Sequence, residues 1–177
     1  MFNDVRSKSV IFVAHCILNQ NSLSDGTAFY PAQISEVLEL LTESEVGIIQ
    51  MPYPELLCLG LSRGNTGKSS TSIVEENTRI RKIMNQNSMT EKIKQFVQPV
   101  VHQILEYRKH GFEIKGIVGV DRSPSCGVNT TSKNNEEVSG SGIFMEMLFD
   151  ELNNNNININ IVGIKAFEIE EAIISIK

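Results

Sequence analysis

Three cysteines are the residues of this chain best suited to chemistry, and each stands at the same kind of place. Cys16 follows the apolar run Ser9–Ala14, Cys58 comes shortly after the run Val46–Met51, and Cys126 follows the run that ends at Val120. Short, β-branched apolar runs read as buried strands, and the Gly, Pro and Ser residues after them as strand ends. In a parallel sheet all carboxyl ends lie on one edge, where open α/β sheets bind their ligands. Three thiols after three different strands are therefore expected to share one site.

Three thiolates can do a few things. Zinc in a structural site takes four ligands; His15 is the nearest fourth, but neighbours on a strand point to opposite faces. A 4Fe–4S cluster takes four cysteines. With three, one iron stays open to water or substrate and acts as a Lewis acid, as at an open zinc site. A cysteine nucleophile with two bystanders is the third option, and it has no evident His and Asn partners in the chain.

The neighbours of the cysteines suggest roles. Glu55 lies near Cys58 and is a candidate general acid or base, or else a solvated loop carboxylate. Ser123 and Ser125 flank Pro124, where they either position a substrate or water or satisfy the turn's own backbone. Asn19 and Asn21 follow Cys16 and either bind the polar edge of a substrate or cap a loop. Asp121 and Arg122 read as a pair, and His102 and His110 as solvent-facing or structural residues of a long helix. The stretch Ser62–Ser69 mimics a phosphate-binding loop, but Ser62 stands where that motif requires glycine; Lys68 is left as an anion contact.

The elements that must position these residues alternate. Helical spacing at Ile34, Val37, Leu38 and Leu41 follows a start at Tyr30-Pro31, and a helix is expected over Ile73–Met84. A longer one, capped by Thr90, carries the stripe Ile93, Phe96, Val97, Val100, Val101, Ile104, Leu105 before Gly111. Pro99 inside it is a possible kink site. Ile114–Val120 is the third strand. Thr130–Glu137 reads as a polar, mobile loop, Ile143–Leu152 as a helix, Ile157–Ile164 as the fourth strand and Phe167–Ile176 as a last helix. The order predicts a single α/β domain over residues 1–177, a Rossmann-like parallel sheet of about four strands with helices on both faces.

Composition narrows the classes. The net charge is −5, with no block of Lys and Arg, which argues against a nucleic-acid surface and against tRNA as substrate. Apolar runs fall far short of a membrane span. Met1–Lys8 lacks the apolar core of a signal peptide, so a cytoplasmic location is expected.

Four segments carry a resemblance: Ala14–Asn21 (Ala-His-Cys-Ile-Leu-Asn-Gln-Asn); Gln50–Leu56 with Leu59-Gly60; Gly119–Val128, with its Ser-Pro-Ser-Cys-Gly; and Gly142–Glu146. Together they resemble the thiouracil desulfurase (TudS-type) family, and more closely its branch of short TudS-related desulfidases. The likeness covers nearly the whole chain, and Ser-Pro-Ser-Cys-Gly is its most specific part. It implies a Rossmann-like domain with a 4Fe–4S cluster on three cysteines, whose open iron binds the sulfur of a thiolated nucleobase. Water then replaces that sulfur at carbon with no net redox change. By position it implies Cys16 and Cys126 as cluster ligands, Glu55 as the acidic residue beside them and Ser123 as the active-site serine. The expected substrate is a small thio-compound, with Asn19, Asn21 and Ser125 as its contacts.

The chain departs from the family at one place. The family has cysteine directly before Pro-Glu; here Tyr53 stands there, and a phenol is a poor ligand for soft metals. Cys58, five residues on, is expected to take over as third ligand. The alternative reading is a non-catalytic metal- or ligand-binding α/β domain that has lost the cluster chemistry.

Overall fold

The computed structural model describes residues 4–65 and 72–165. Its central strand is β1 (Ser9–Val13), whose last four residues are all buried. β1 pairs with β2 (Gly47–Gln50) on one side and with β3 (Glu113–Val120) on the other, and β6 (Ile161–Ile164) pairs with β3. Every pairing is parallel, giving the order β2-β1-β3-β6. Apolar residues at successive positions, as in Val10-Ile-Phe-Val13 and Ile117-Val118, suit a sheet covered by helices. The expected α/β, Rossmann-like architecture with four parallel strands is what the chain adopts.

The strand order fixes where a site forms. The chain leaves β1 for β2 on one side and later crosses to β3 on the other. The connections thus diverge above β1 and β3, and the crevice at such a switch point is where α/β sheets bind ligands. β1 continues into α1 (His15–Leu18), β2 into α3 (Pro54–Leu59), and β3 into the Asp121–Gly127 turn.

The flanking helices are α2 (Ser35–Glu43), α4 (Ile73–Met84), α5 (Asn87–Lys109) and α6 (Ile143–Asn154). α5 buries Ile93, Val97, Val100, Val101 and Ile104 of the expected stripe, while Phe96 is half-buried and Leu105 is exposed. Pro99 lies on its exposed side and the helix runs on through it. Ser72 and Glu75 form a reciprocal capping box that starts α4.

Several local expectations need correction. Thr130–Glu137 is not a mobile loop: β4 (Thr130–Lys133) and β5 (Glu136–Ser139) form an antiparallel hairpin. The turn residues Asn134 and Asn135 take positive φ, which asparagine tolerates better than most residues. The helix expected from Tyr30 starts at Ser35, because residues 29–34 bond back to the loop after β1. The Gln20 amide donates to the Ala32 carbonyl at 2.6 Å, and the Ile34 amide to that of Ile17 at 2.9 Å. The fourth strand begins at Ile161, four residues later than its apolar run. The expected last helix, Phe167–Ile176, lies outside the described residues, as does Lys68.

Candidate active site

A cavity of about 160 Å³ opens at the carboxyl ends of the sheet. Cys16 lines it from the end of β1, Tyr53 and Glu55 from the end of β2, Val120 to Pro124 from the end of β3, and Ile164 and Lys165 from the end of β6. α4 adds Ile73, Val74 and Asn77, and the loop after α1 adds Gln20, Leu23 and Phe29. Phe29 and Ile73 are 61% and 47% exposed, which places them at the rim.

Glu55 is the centre of the polar network. Its residue is 3% exposed, so it is no solvated loop carboxylate. A buried carboxylate needs partners on both oxygens, and Glu55 has them. Ser125 Oγ donates to Oε1 at 2.7 Å, Arg63 Nε to Oε2 at 3.0 Å, and the Tyr53 hydroxyl to Oε2 at 3.4 Å. The ion pair with Arg63 is sealed, with side-chain exposures of 2% for Arg63 and 4% for Glu55.

Arg63 comes from the loop that mimics a phosphate-binding motif. It does not face solvent; it is 1% exposed. Its remaining donors go to backbone carbonyls: Nη1 to Gly60 and Leu61 at 2.7 and 3.2 Å, and Nη2 to Ser22 at 2.5 Å. One guanidinium thus ties the loop after β1 to the turn after α3 and satisfies Glu55 between them. It also lies 5.1 Å from the Tyr53 ring centroid, a cation–π contact. Sequence reasoning missed Arg63. Its one signal was a lone arginine eight residues after Glu55, in a loop too polar to suggest burial.

The Ser-Pro-Ser-Cys turn is built around its first serine. Ser123 Oγ accepts the amides of Ser125 at 3.3 Å and Cys126 at 3.0 Å. The turn's carbonyls serve the start of α6, which has no side-chain cap: the Ile143 amide donates to Pro124 at 3.2 Å and that of Phe144 to Ser125 at 2.9 Å. Gly142 is required there, since a Cβ on it would collide with the Ser125 backbone. Arg81 of α4 clasps the same turn. Its Nη1 donates to Thr131 Oγ1 at 2.9 Å, the Ser141 carbonyl at 3.0 Å and the Pro124 carbonyl at 3.4 Å, and its Nη2 to Glu146 at 2.7 Å. Arg81 was also missed, hidden among the charges of α4.

Two of the three thiols meet here. Cys16 and Cys126 are 3% and 4% exposed and interact electrostatically with each other and with Glu55. Burial, then the charge of Glu55, pushes the Cys16 thiol from 9.0 up to about 12. Burial, then Cys16, likewise raises Cys126, against a partial lowering by Ser125, whose Oγ is 3.5 Å from Cys126 Sγ. Both are therefore neutral thiols near pH 7, which disfavours the reading of a cysteine nucleophile.

Cys58 is elsewhere. It is half-buried on α3, its titration is raised by burial and lowered by Lys92 of α5, and neither Cys16 nor Cys126 acts on it. Among the described residues no group of three or more His, Cys, Asp or Glu side chains is arranged to hold a metal ion. The donor set brought together is two thiols, a phenol and a carboxylate already bound by serine and arginine. That set does not fit the three-thiolate cluster the resemblance implies.

The other expected residues divide. Ser123 lines the cavity and Ser125 is buried behind it on Glu55. Asn19 and Asn21 are spent on their own turn: Asn19 Oδ1 accepts the Asn21 amide at 3.1 Å and its side-chain NH₂ at 3.2 Å, and neither residue lines the cavity. Asp121 and Arg122 do not pair with each other. Arg122 pairs with Glu137 of the hairpin at 2.9 Å, and Asp121 accepts the Asn129 amide at 2.8 Å. His15 stacks on Tyr53, with centroids 5.5 Å apart, and its buried Nε2 has no partner among the described residues. His102 and His110 are exposed on and just after α5. Among the described residues no helix is long and apolar enough to cross a membrane.

No family model matches the chain, and no solved structure matches it. It is 30% identical over 158 residues to an uncharacterized protein, MJ0003, of Methanocaldococcus jannaschii, a match spanning 89% of this chain and 86% of that protein. At that identity and coverage, the chain belongs to the family of the archaeal protein.

Proposed function

We propose that the chain is a desulfidase: an enzyme that replaces the sulfur of a small thio-compound with oxygen from water. The observation that supports this reading best is the buried Ser125–Glu55–Arg63 chain set beside the thiols of Cys16 and Cys126, at the edge of a cavity sized for a small molecule. The resemblance of the Ser-Pro-Ser-Cys-Gly turn points the same way.

The reaction converts a thiocarbonyl and water into a carbonyl and hydrogen sulfide, with no oxidant or reductant. The water oxygen bonds to carbon, the carbon–sulfur bond breaks, and sulfur leaves with the two protons of the water. Glu55 lines the cavity and serves as the base that takes the first proton and returns it to the leaving sulfur. Ser125 and Arg63 hold its carboxylate in place, and Ser123 stands on the cavity wall to hold water or substrate. Cys16, a neutral thiol facing the cavity, offers a weak S–H donor to the thiocarbonyl sulfur. The iron–sulfur cluster implied by the resemblance would supply a Lewis-acidic iron for sulfur, but only Cys16 and Cys126 are at the site to hold it and the third thiolate is not. The apolar rim of Phe29 and Ile73 suits a flat, poorly hydrated ring.

The test is anaerobic incubation with 2-thiouracil, 4-thiouracil and simple thioamides, following loss of the thiocarbonyl absorbance and release of sulfide. Turnover that is abolished by Glu55→Gln is the expected result. A wild-type protein that releases no sulfide from any of them sinks the proposal in favour of a ligand-binding domain without the chemistry.

A further inference from the structure

We infer that Tyr53, not Cys58, occupies the third corner of this site, so that the chain presents two thiols and a phenol where a three-thiolate cluster needs a third cysteine. The inference concerns the same site as the proposed activity, but its evidence is the placement of the side chains.

Tyr53 is fixed there from several sides. It is 5% exposed and lines the cavity with Cys16 and Glu55. Its hydroxyl reaches Glu55 at 3.4 Å, its ring stacks on His15 at 5.5 Å, and Arg63 covers it at 5.1 Å. It lies within electrostatic reach of both Cys16 and Cys126. Glu55 and Arg63 are buried groups with their own partners in the network, so the ring cannot swing out without leaving Arg63 and His15 uncovered.

Cys58 cannot take the corner by a local shift. Tyr53 is the N-cap of α3 and Cys58 lies within that helix. Five residues of α-helix rise about 7.5 Å and turn about 140° past a full circle. Position 58 therefore presents a different face, and that face meets α5 near Lys92. Lys92 Nζ is itself tied to the Leu57 carbonyl at 3.0 Å, which pins this side of α3 to α5. Bringing Cys58 to Cys16 and Cys126 would require unwinding α3, which also carries Glu55.

The experiment is anaerobic reconstitution of the full chain with ferrous iron and sulfide, reading iron per chain and absorbance at roughly 400 nm. Cys58→Ser is expected to match wild type in both. Tyr53→Cys, which supplies a thiol at the third corner, is expected to take up about twofold more iron or better, and to gain the absorbance of a cluster. Tyr53→Ser removes the same ring without adding a thiol and is expected to gain nothing. The inference is overturned if Cys58→Ser loses the iron that wild type holds, or if folded Tyr53→Cys takes up no more than wild type. Should Tyr53→Cys fail to fold, the wild-type chain decides: a wild type that gains no cluster absorbance supports the inference, and one that gains it and loses it in Cys58→Ser overturns it. Iron uptake is read without substrate, so a chain that releases no sulfide leaves this result standing.

Discussion

Ser125 and Glu55 are 70 residues apart in sequence, and the Ser125 hydroxyl donates to the Glu55 carboxylate at 2.7 Å with both residues buried. This bond joins the turn after β3 to the start of α3 after β2. It crosses over the end of β1, where Cys16 stands, so one hydrogen bond closes the edge on which the thiols sit. A hydrogen bond to a buried carboxylate is worth more than a neutral one, because the acceptor has lost its water.

Replacing Ser125 with alanine leaves Glu55 Oε1 without its donor. The expected loss is about 1.5–3 kcal/mol of unfolding free energy, read as a lower urea midpoint with an unchanged slope. Ser123→Ala acts differently. It frees the amides of Ser125 and Cys126 but leaves Glu55 its partners. Desulfidase turnover, if Glu55 is the base, should fall further in Ser125→Ala than stability alone explains.

The Arg63–Glu55 pair tests how the site tolerates charge. Arg63→Leu strands a buried carboxylate and is expected to cost about 3–5 kcal/mol. Glu55→Leu strands the guanidinium, which keeps three carbonyl partners, and should cost less. The double variant removes both charges, and its loss is expected to be well below the sum of the two singles. A double-mutant cycle by urea denaturation measures this, and simple additivity would show that the pair is not coupled.

The fold was legible because its signal is repetitive. Apolar runs at Val10–Val13 and Ile117–Val118, and the α5 stripe, repeat one instruction many times, so the parallel sheet and the alternation of strands and helices could be read, whereas the order of strands within the sheet could not. Three cysteines after three strands were legible for the same reason, and the sequence placed Cys16, Glu55 and Cys126 together correctly. What it could not show was the direction of single side chains. Arg63 and Arg81 are two of 16 basic residues, and nothing local marks them as turned inward. Cys58 is the one thiol left for a third ligand and lies only five residues past Tyr53, but α3 carries it round to α5. The hairpin β4–β5 was missed because its four-residue strands are polar, mainly Thr, Ser, Lys and Glu, and have no apolar alternation to read.

Thiol reactivity should separate the three cysteines. Cys58 is half-buried, whereas Cys16 and Cys126 are sealed and held as neutral thiols. Native protein treated with iodoacetamide near pH 8 is expected to be alkylated first at Cys58, with Cys126 reacting only at the rate of local opening and Cys16, on the cavity wall, slowed by its protonated thiol. Peptide mass spectrometry reads the order. Fast, selective modification of Cys16 or Cys126 would instead mark an activated nucleophile.

The same burial gives a pH dependence. The folded-state Cys16 thiol titrates at about 12 against an ordinary 9.0, so the folded chain holds this proton more tightly than the unfolded chain does. The linkage leaves stability untouched below pH 9 and erodes it as pH rises from 9 towards 12, by about 1.4 kcal/mol per pH unit for such a thiol. Cys126 is raised as well and adds in the same direction. Urea midpoints are expected to hold between pH 8 and 9 and to fall between pH 9 and 10, with a shallower fall in Cys16→Ala. Equal slopes in the two proteins would mean that Cys16 is not the titrating group.

Arg81 is expected to matter through the turn it holds and not through any contact with the cavity. It binds the Pro124 and Ser141 carbonyls and Thr131, while Thr131 Oγ1 donates to the Ser123 carbonyl at 3.0 Å. α4 is thereby fastened to the turn after β3, the hairpin and the start of α6 by one side chain. In Arg81→Met these acceptors lose a charged donor, and about 1.5–3 kcal/mol of local stability should go with it. Hydrogen exchange should then quicken at the amides of Ser125, Cys126 and Gly127, whose acceptors Ser123 Oγ and the Ser123 carbonyl are set by that turn. Amides in the middle of β1 and β3 should be unchanged, because their partners are the neighbouring strands. Uniform acceleration through the sheet would mean that Arg81 supports the whole fold; acceleration confined to the turn would identify it as the residue that positions Ser125 on Glu55.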